Sequence, residues 1–101
     1  MTNVFGTNLV TVDGDAITTG QQDILSTGDT RITTDTGPLT HGIFIVVKDS
    51  ANYYVGAENV ATTTGVKVSA NNPLFIPIKD PSSLYCIHDG SGTKVISYIH
   101  Y

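Results

Sequence analysis

Three histidines, nine acidic residues, one cysteine and several serines are the residues of this chain that could act on a substrate or hold an ion. Zinc needs three or four ligands converging at about 2 Å. His41, His88 and His100 fall on three separate candidate strands with no ligand spacing, so no metal site is expected and they read as isolated polar or interface residues. Asp13-Gly14-Asp15 comes nearest to a calcium loop. Calcium takes about six to eight oxygens, and its loops carry acids at several alternating positions; two acids with no following Glu fit a turn instead. Cys86 is the only cysteine, which excludes an internal disulfide and a multi-thiolate site. Between Tyr85 and Ile87 it reads as a buried, inert thiol.

Nucleophilic and acid–base chemistry fares no better. Ser, His and Asp all occur, but no nucleophile elbow or other positional signature orders them into a triad. Gly90-Ser91-Gly92 sits at a loop tip, away from any strand–helix junction that could cradle phosphate. Asp80 and Asp89 lie at turns of a domain too small for the deep cleft of a glycosidase carboxylate pair. The expectation is a protein without catalysis and without a cofactor.

The elements that would position these residues are strands. Thr occurs fifteen times and Gly ten, against five Leu, five Ala and a single Glu, a composition of strands and turns that is poor in helix formers. Ile43–Val47 is the one run of five large apolar residues. Alternate side chains there would cover both faces of a strand, which predicts a strand covered on both sides in the middle of a layered β domain. Asp49–Asn52 is a turn and Tyr53–Val55 a second strand. Val66–Val68 alternates with Lys67 and Ser69, and Leu74–Ile78 contains Pro77, which lacks a backbone donor and so places that strand at a sheet edge. Leu84–His88 and Thr93–Tyr101 read as a hairpin across Asp89–Gly92, with Val95, Ser97, Ile99 and Tyr101 on one face of the last strand. Before residue 41, Leu9–Val12 and Ala16–Thr19 read as a hairpin about Asp13-Gly14-Asp15. Gly20–Thr30 has little periodicity, and Thr30–Thr36 alternates loosely around Ile32.

The fold class that follows is all-β, a small antiparallel β-sandwich or barrel-like sandwich of about eight to ten short strands. Residues 1–101 suit a single domain, with a polar, acidic N-terminal arm or ribbon over 1–40 laid across a hydrophobic β core over 41–101. Met1 at the start and a strand reaching Tyr101 read as a complete chain. Five aspartates against Arg31 give the first part a net charge of −4, while four acids balance four lysines in the second. An acidic half argues against direct nucleic-acid binding and favours a basic protein surface as neighbour. Arg31 is the first basic residue and no apolar run approaches a membrane span, so neither a secretory signal nor a membrane partner is expected. Val4, Phe5 and Leu9 are the sizeable apolar groups of the arm and the candidate partner interface.

Beyond residue chemistry, the second half resembles a module of tailed-bacteriophage structural proteins. The resemblance is carried by Gly42-Ile43-Phe44-Ile45, Tyr54-Val55-Gly56, Thr62–Gly65, Leu74–Ile78, Leu84-Tyr85-Cys86-Ile87, Gly90–Gly92 and Val95-Ile96-Ser97-Tyr98-Ile99. Asn71-Asn72-Pro73 departs from the Gly/acidic turn of that pattern. The resemblance implies a non-enzymatic virion protein made in the host cytoplasm, a capsid decoration (cement) protein on the capsid exterior. It would bind the major capsid protein or other virion proteins between capsomers, as a homotrimer. Alternatives are a head-fibre or tail attachment module, or a carbohydrate-binding β-sandwich stacking Tyr53, Tyr54 or Tyr98 on sugars.

Overall fold

Period-2 patterning separates the side chains of Ile43–Val47 as strand geometry requires. Ile43, Ile45 and Val47 are buried, whereas Phe44 and Val46, pointing the other way, are only half-buried. The structure is a computed structural model and describes residues 9–12 and 15–101, the backbone alone for 9–12, 15 and 16. Nine strands succeed one another among these residues: β1 Leu9–Val12, β2 Asp15–Ile24, β3 Thr30–Arg31, β4 Ile43–Val47, β5 Tyr53–Gly56, β6 Val66–Val68, β7 Leu74–Ile76, β8 Tyr85–His88 and β9 Lys94–His100. A single 3₁₀ turn, Pro81–Ser83, is capped by the Asp80 side chain accepting from the Ser82 N–H.

The strands form two antiparallel sheets, a wider one in the order β1-β2-β9-β4-β7 and a narrower one in the order β3-β8-β5-β6. The expected small β-sandwich is therefore what the chain builds. Its pairings nest: β5 with β6, β4 with β7, β3 with β8 and β2 with β9. An eight-stranded ribbon folded at the β5–β6 link and wrapped into two layers is the jelly-roll topology, to which β1 adds one edge strand. Between the layers lie Ile24, Ile43, Ile45 and Ile96 from the wider sheet, facing Tyr53, Val55, Val68 and Cys86 from the narrower one.

Four expectations need correction. Strands 84–88 and 93–101 do not form a hairpin, because β8 and β9 belong to different sheets. The link between them is held to the narrower sheet's end, where the His88 ring bonds Gly92 O at 2.7 Å and accepts from Gly90 N, and where Asp89 N donates to Asn52 O. From there the chain has to cross about 10 Å to the other layer. Second, β2 runs on through Gly20 to Ile24 and pairs with β9 from Thr18 to Ile24. Among the described residues, β2 and β3 of the first part thus enter the two sheets edge to edge, and Ile24, Ile32 and Leu39 join the core. Gly20 matters here because a Cβ would collide with the Tyr98 ring opposite it. Third, only Thr30–Arg31 of the segment around Ile32 is strand. Fourth, β4 is covered on one face, and its Phe44 and Val46 look outward. The edge position of the Pro77 strand agrees, since β7 borders the wider sheet.

Cys86 is fully buried, as expected. Burial pushes its thiol up to about 12 and raises the Tyr53 phenol, which also donates to Asp49 Oδ2 at 2.6 Å. In both groups the folded state holds the proton more tightly than the unfolded chain does. Their contribution is therefore fully present at neutral pH and is lost as pH climbs past the ordinary thiol range for Cys86 and the ordinary phenol range for Tyr53, at up to about 1.4 kcal/mol per pH unit for each group. Urea midpoints should decline above about pH 9. A soluble disulfide reagent at about pH 8 should leave Cys86 unlabelled until the chain is unfolded; prompt labelling of the native protein would contradict this packing.

Candidate attachment face

Register decides which side chains meet on the outside of the wider sheet. Phe44 lies opposite Ile99 on one side and Phe75 on the other, and Ile99 lies opposite Thr19. One row of the sheet is thus Thr19, Ile99, Phe44 and Phe75, all directed away from the core. Ile17 and Tyr101 flank this row, and a shallow open depression is lined by Ile17, Phe44, Phe75, Ile99 and Tyr101. Phe75 is 41% exposed, and the others are half-buried. Among the described residues no charged side chain lines this depression. Tyr101 is fixed in place by reciprocal backbone bonds with Gly42 (3.1 Å each way), and its ring lies 5.0 Å from that of His41 and 6.3 Å from that of Phe75. Further along the same face the lining turns polar, with Thr19, Gln21, Lys48 and Ser97 around Val46.

The narrower sheet presents a different outside. Arg31 donates to Tyr85 Oη at 2.6 and 3.1 Å and lies 5.3 Å from that ring's centre. Lys67 stands opposite Tyr54, whose hydroxyl reaches Asp89 at 3.4 Å. Hydrogen bonds from the Asn52 backbone and side chain hold the Asp89 carboxyl below the usual carboxylate range. This surface is wet and charged. The wider sheet's outside carries aromatic and aliphatic groups, the composition that marks the centre of a protein interface.

The residues singled out from the sequence are distributed as follows. Val4 and Phe5 lie outside the described residues, and Leu9 opens β1 opposite Thr18. The histidines do not converge. His88 and His100 are buried, contrary to the expectation of isolated polar or interface residues, and only His41 is exposed. His88 accepts at Nδ1 from Gly90 N, which fits the neutral ring with its proton on Nε2 toward Gly92 O. His100 Nε2 meets Asp35 Oδ2 at 2.9 Å, with Tyr98 stacked beside it and donating to Thr33 Oγ1 at 3.2 Å. Among the described residues no group of three or more His, Cys, Asp or Glu could hold a metal ion. Tyr53 is fully buried, so it cannot stack on a sugar; Tyr54 and Tyr98 are both half-buried, Tyr98 with its hydroxyl donating to Thr33. Sequence reasoning missed the face itself. The available signal was the chain's last strand, whose inward side ends in Tyr98 and His100 while Ile99, and Tyr101 just beyond it, turn outward, an inverted pattern.

No family model, curated protein or solved structure matches this chain. No helix of the described residues is long and apolar enough to cross a membrane. The site defines a class, a jelly-roll module with one apolar outer sheet face, and leaves its particular role to be argued below.

The two sides of the wider sheet should respond differently to truncation. Ile45→Ala, on the core side, should cost about 2–5 kcal/mol in urea unfolding. Phe75→Ser, one strand away on the outer side, should cost less than about 1 kcal/mol. Equal losses would show that the outer face is sealed by another part of the chain.

Proposed function

We propose that this chain is a non-catalytic structural module of a tailed-phage virion, a capsid decoration protein that seats the outer face of its wider sheet on the assembled shell. The observation that carries the reading is the apolar depression around Phe44, Phe75, Ile99 and Tyr101 on the outside of a sheet, a surface costly to leave in water and well suited to an anchor contact. Two further features support it. The order and spacing of strand motifs across the second half resemble phage structural proteins, and the jelly roll is an architecture that capsid domains use, among other proteins. The acidic residues of the first part, including Asp23, Asp29 and Asp35, give the module a charge bias toward a basic neighbour.

Seating five or six side chains buries less than the roughly 800 Å² per partner of a standard interface. Several copies must then act together to hold tightly, and a trimer at a three-fold position between capsomers supplies that multiplicity.

The test is co-sedimentation with DNA-filled heads of the phage that encodes the chain, stripped of their decoration, followed by electron microscopy. Saturable binding between capsomers is expected, weakened at least about tenfold by Phe75→Asp, which loses about 1.4 kcal/mol or more. Lys67→Glu, on the opposite outer face, should bind as the parent does. Absence of binding to heads sinks the proposal; full binding by Phe75→Asp sinks the assignment of the face.

A further inference from the structure

An aspartate followed by glycine is chemically labile, because a residue without a side chain leaves its backbone nitrogen open to the neighbouring carboxyl group. The reaction has two requirements. The carboxyl must be protonated, so that its hydroxyl can depart as water, and the glycine N–H must give up its proton. The nitrogen then bonds to Cγ, one water leaves and a succinimide ring closes. A second water opens the ring at either carbonyl. Opening at Cγ restores aspartate, whereas opening at the backbone carbonyl routes the chain through Cγ and leaves an isoaspartate. The sequence is redox-neutral, and the water lost is regained.

Asp89-Gly90 is such a pair, exposed in the link between β8 and β9. Both requirements are opposed there. Asp89 Oδ1 accepts from Asn52 N at 3.1 Å, and Oδ2 accepts from Asn52 Nδ2 at 3.2 Å and from the Tyr54 hydroxyl at 3.4 Å. These donors, the Asn52 backbone foremost, favour the carboxylate, which has no hydroxyl to expel. Asp89 N also donates to Asn52 O at 3.0 Å, so the backbone is fastened to the same residue. On the other side of the bond, Gly90 N donates to His88 Nδ1 at 3.1 Å, and the far nitrogen of that ring lies 2.7 Å from Gly92 O. His88 is fully buried, so its ring is a fixed anchor for the Gly90 N–H. We propose that Asp89-Gly90 is a latent isomerisation site, held shut in the folded chain by Asn52 on the carboxyl side and by His88 on the nitrogen side. What this lock preserves is the β8–β9 link. An isoaspartate lengthens the backbone there by one methylene and takes away the carboxylate geometry that faces Asn52. Conversion would thus loosen the crossing that brings β9 to the wider sheet, whatever surface the module attaches to.

The test is to age the full chain in neutral buffer, native and unfolded in urea, and to follow isoaspartate in the tryptic peptide between Lys79 and Lys94, in which Asp89-Gly90 is the one aspartyl-glycyl bond. The native chain should convert at least about tenfold more slowly than the unfolded one, since reaction then waits on local opening. Asn52→Ala, shown to be folded by a cooperative urea transition, should convert several times faster than the parent under native conditions. Asn52→Asp keeps the shape of the side chain, loses the amide donor and sets a like charge against Asp89; it should convert faster too, and it stands in for Asn52→Ala if that variant does not fold. Ser91→Ala, beside the bond but with no part in these contacts, should age as the parent does. Equal rates in the native and unfolded parent overturn the latent site. Parent-like ageing of a folded Asn52 variant overturns the lock.

Discussion

The pairing of β9 with both β2 and β4 is the constraint on which the remaining structure depends. Thr18–Ile24 bonds one side of the last strand and Ile43–Val47 the other, so among the described residues β9 is the strand that joins the first part of the chain to the apolar run in its middle. Ile96 on its inner side is fully buried against residues of both sheets. Without this strand the wider sheet becomes two separate ribbons, and the narrower sheet has nothing to face. The nested order of the other pairs follows once this seam closes, because each link outside β5–β6 and β1–β2 must then change layers.

That seam explains what could and could not be read in the amino-acid order. Strand existence is local information. The alternation in Val66–Val68 and Leu74–Ile76, the missing donor of Pro77 and the apolar run at Ile43 all show without any partner. Partnership is not local. Leu84–His88 and Thr93–Tyr101 with a Gly-rich turn between them satisfy every rule for a hairpin, and the same residues equally satisfy a crossing between layers. What decides is Asp89 bonding back to Asn52 at the β5 end, a contact between distant residues. Gly20 misleads in the same way. It breaks the apparent periodicity of β2, yet its missing side chain is what lets the Tyr98 ring lie across the strand.

The candidate face was hidden by a symmetrical signal. Ile43–Val47 is apolar on both sides, and from the residues alone each side has equal claim to the core. The structure divides them because the far end of the wider sheet faces a polar loop over its inner side. Thr33 and Asp35 of that loop meet Tyr98 and His100, so the polar groups of β9 find partners inside and the apolar ones are left outside. No buried side-chain nitrogen or oxygen among the described residues lacks a partner. Polarity inside the described core is therefore compensated, while apolar groups remain at the surface, Phe75 beside half-buried Phe44 on this face and Leu25, Val66 and Val95 elsewhere.

The nested topology has a consequence for how the molecule comes into being. Its closing partners, β2 and β9, are near opposite ends of the chain, and loop-closure entropy rises with the length enclosed, by about 0.6 kcal/mol per doubling. Local turns contribute little to such an architecture, and high contact order of this kind slows folding. Until Lys94–His100 leaves the ribosome, Ile24, Ile43 and Ile45 have no shared roof. Nascent chains therefore carry bare strands throughout synthesis, a hazard greatest when many copies are translated together, and one that the scarcity of long uncharged apolar segments outside Ile43–Val47 serves to contain.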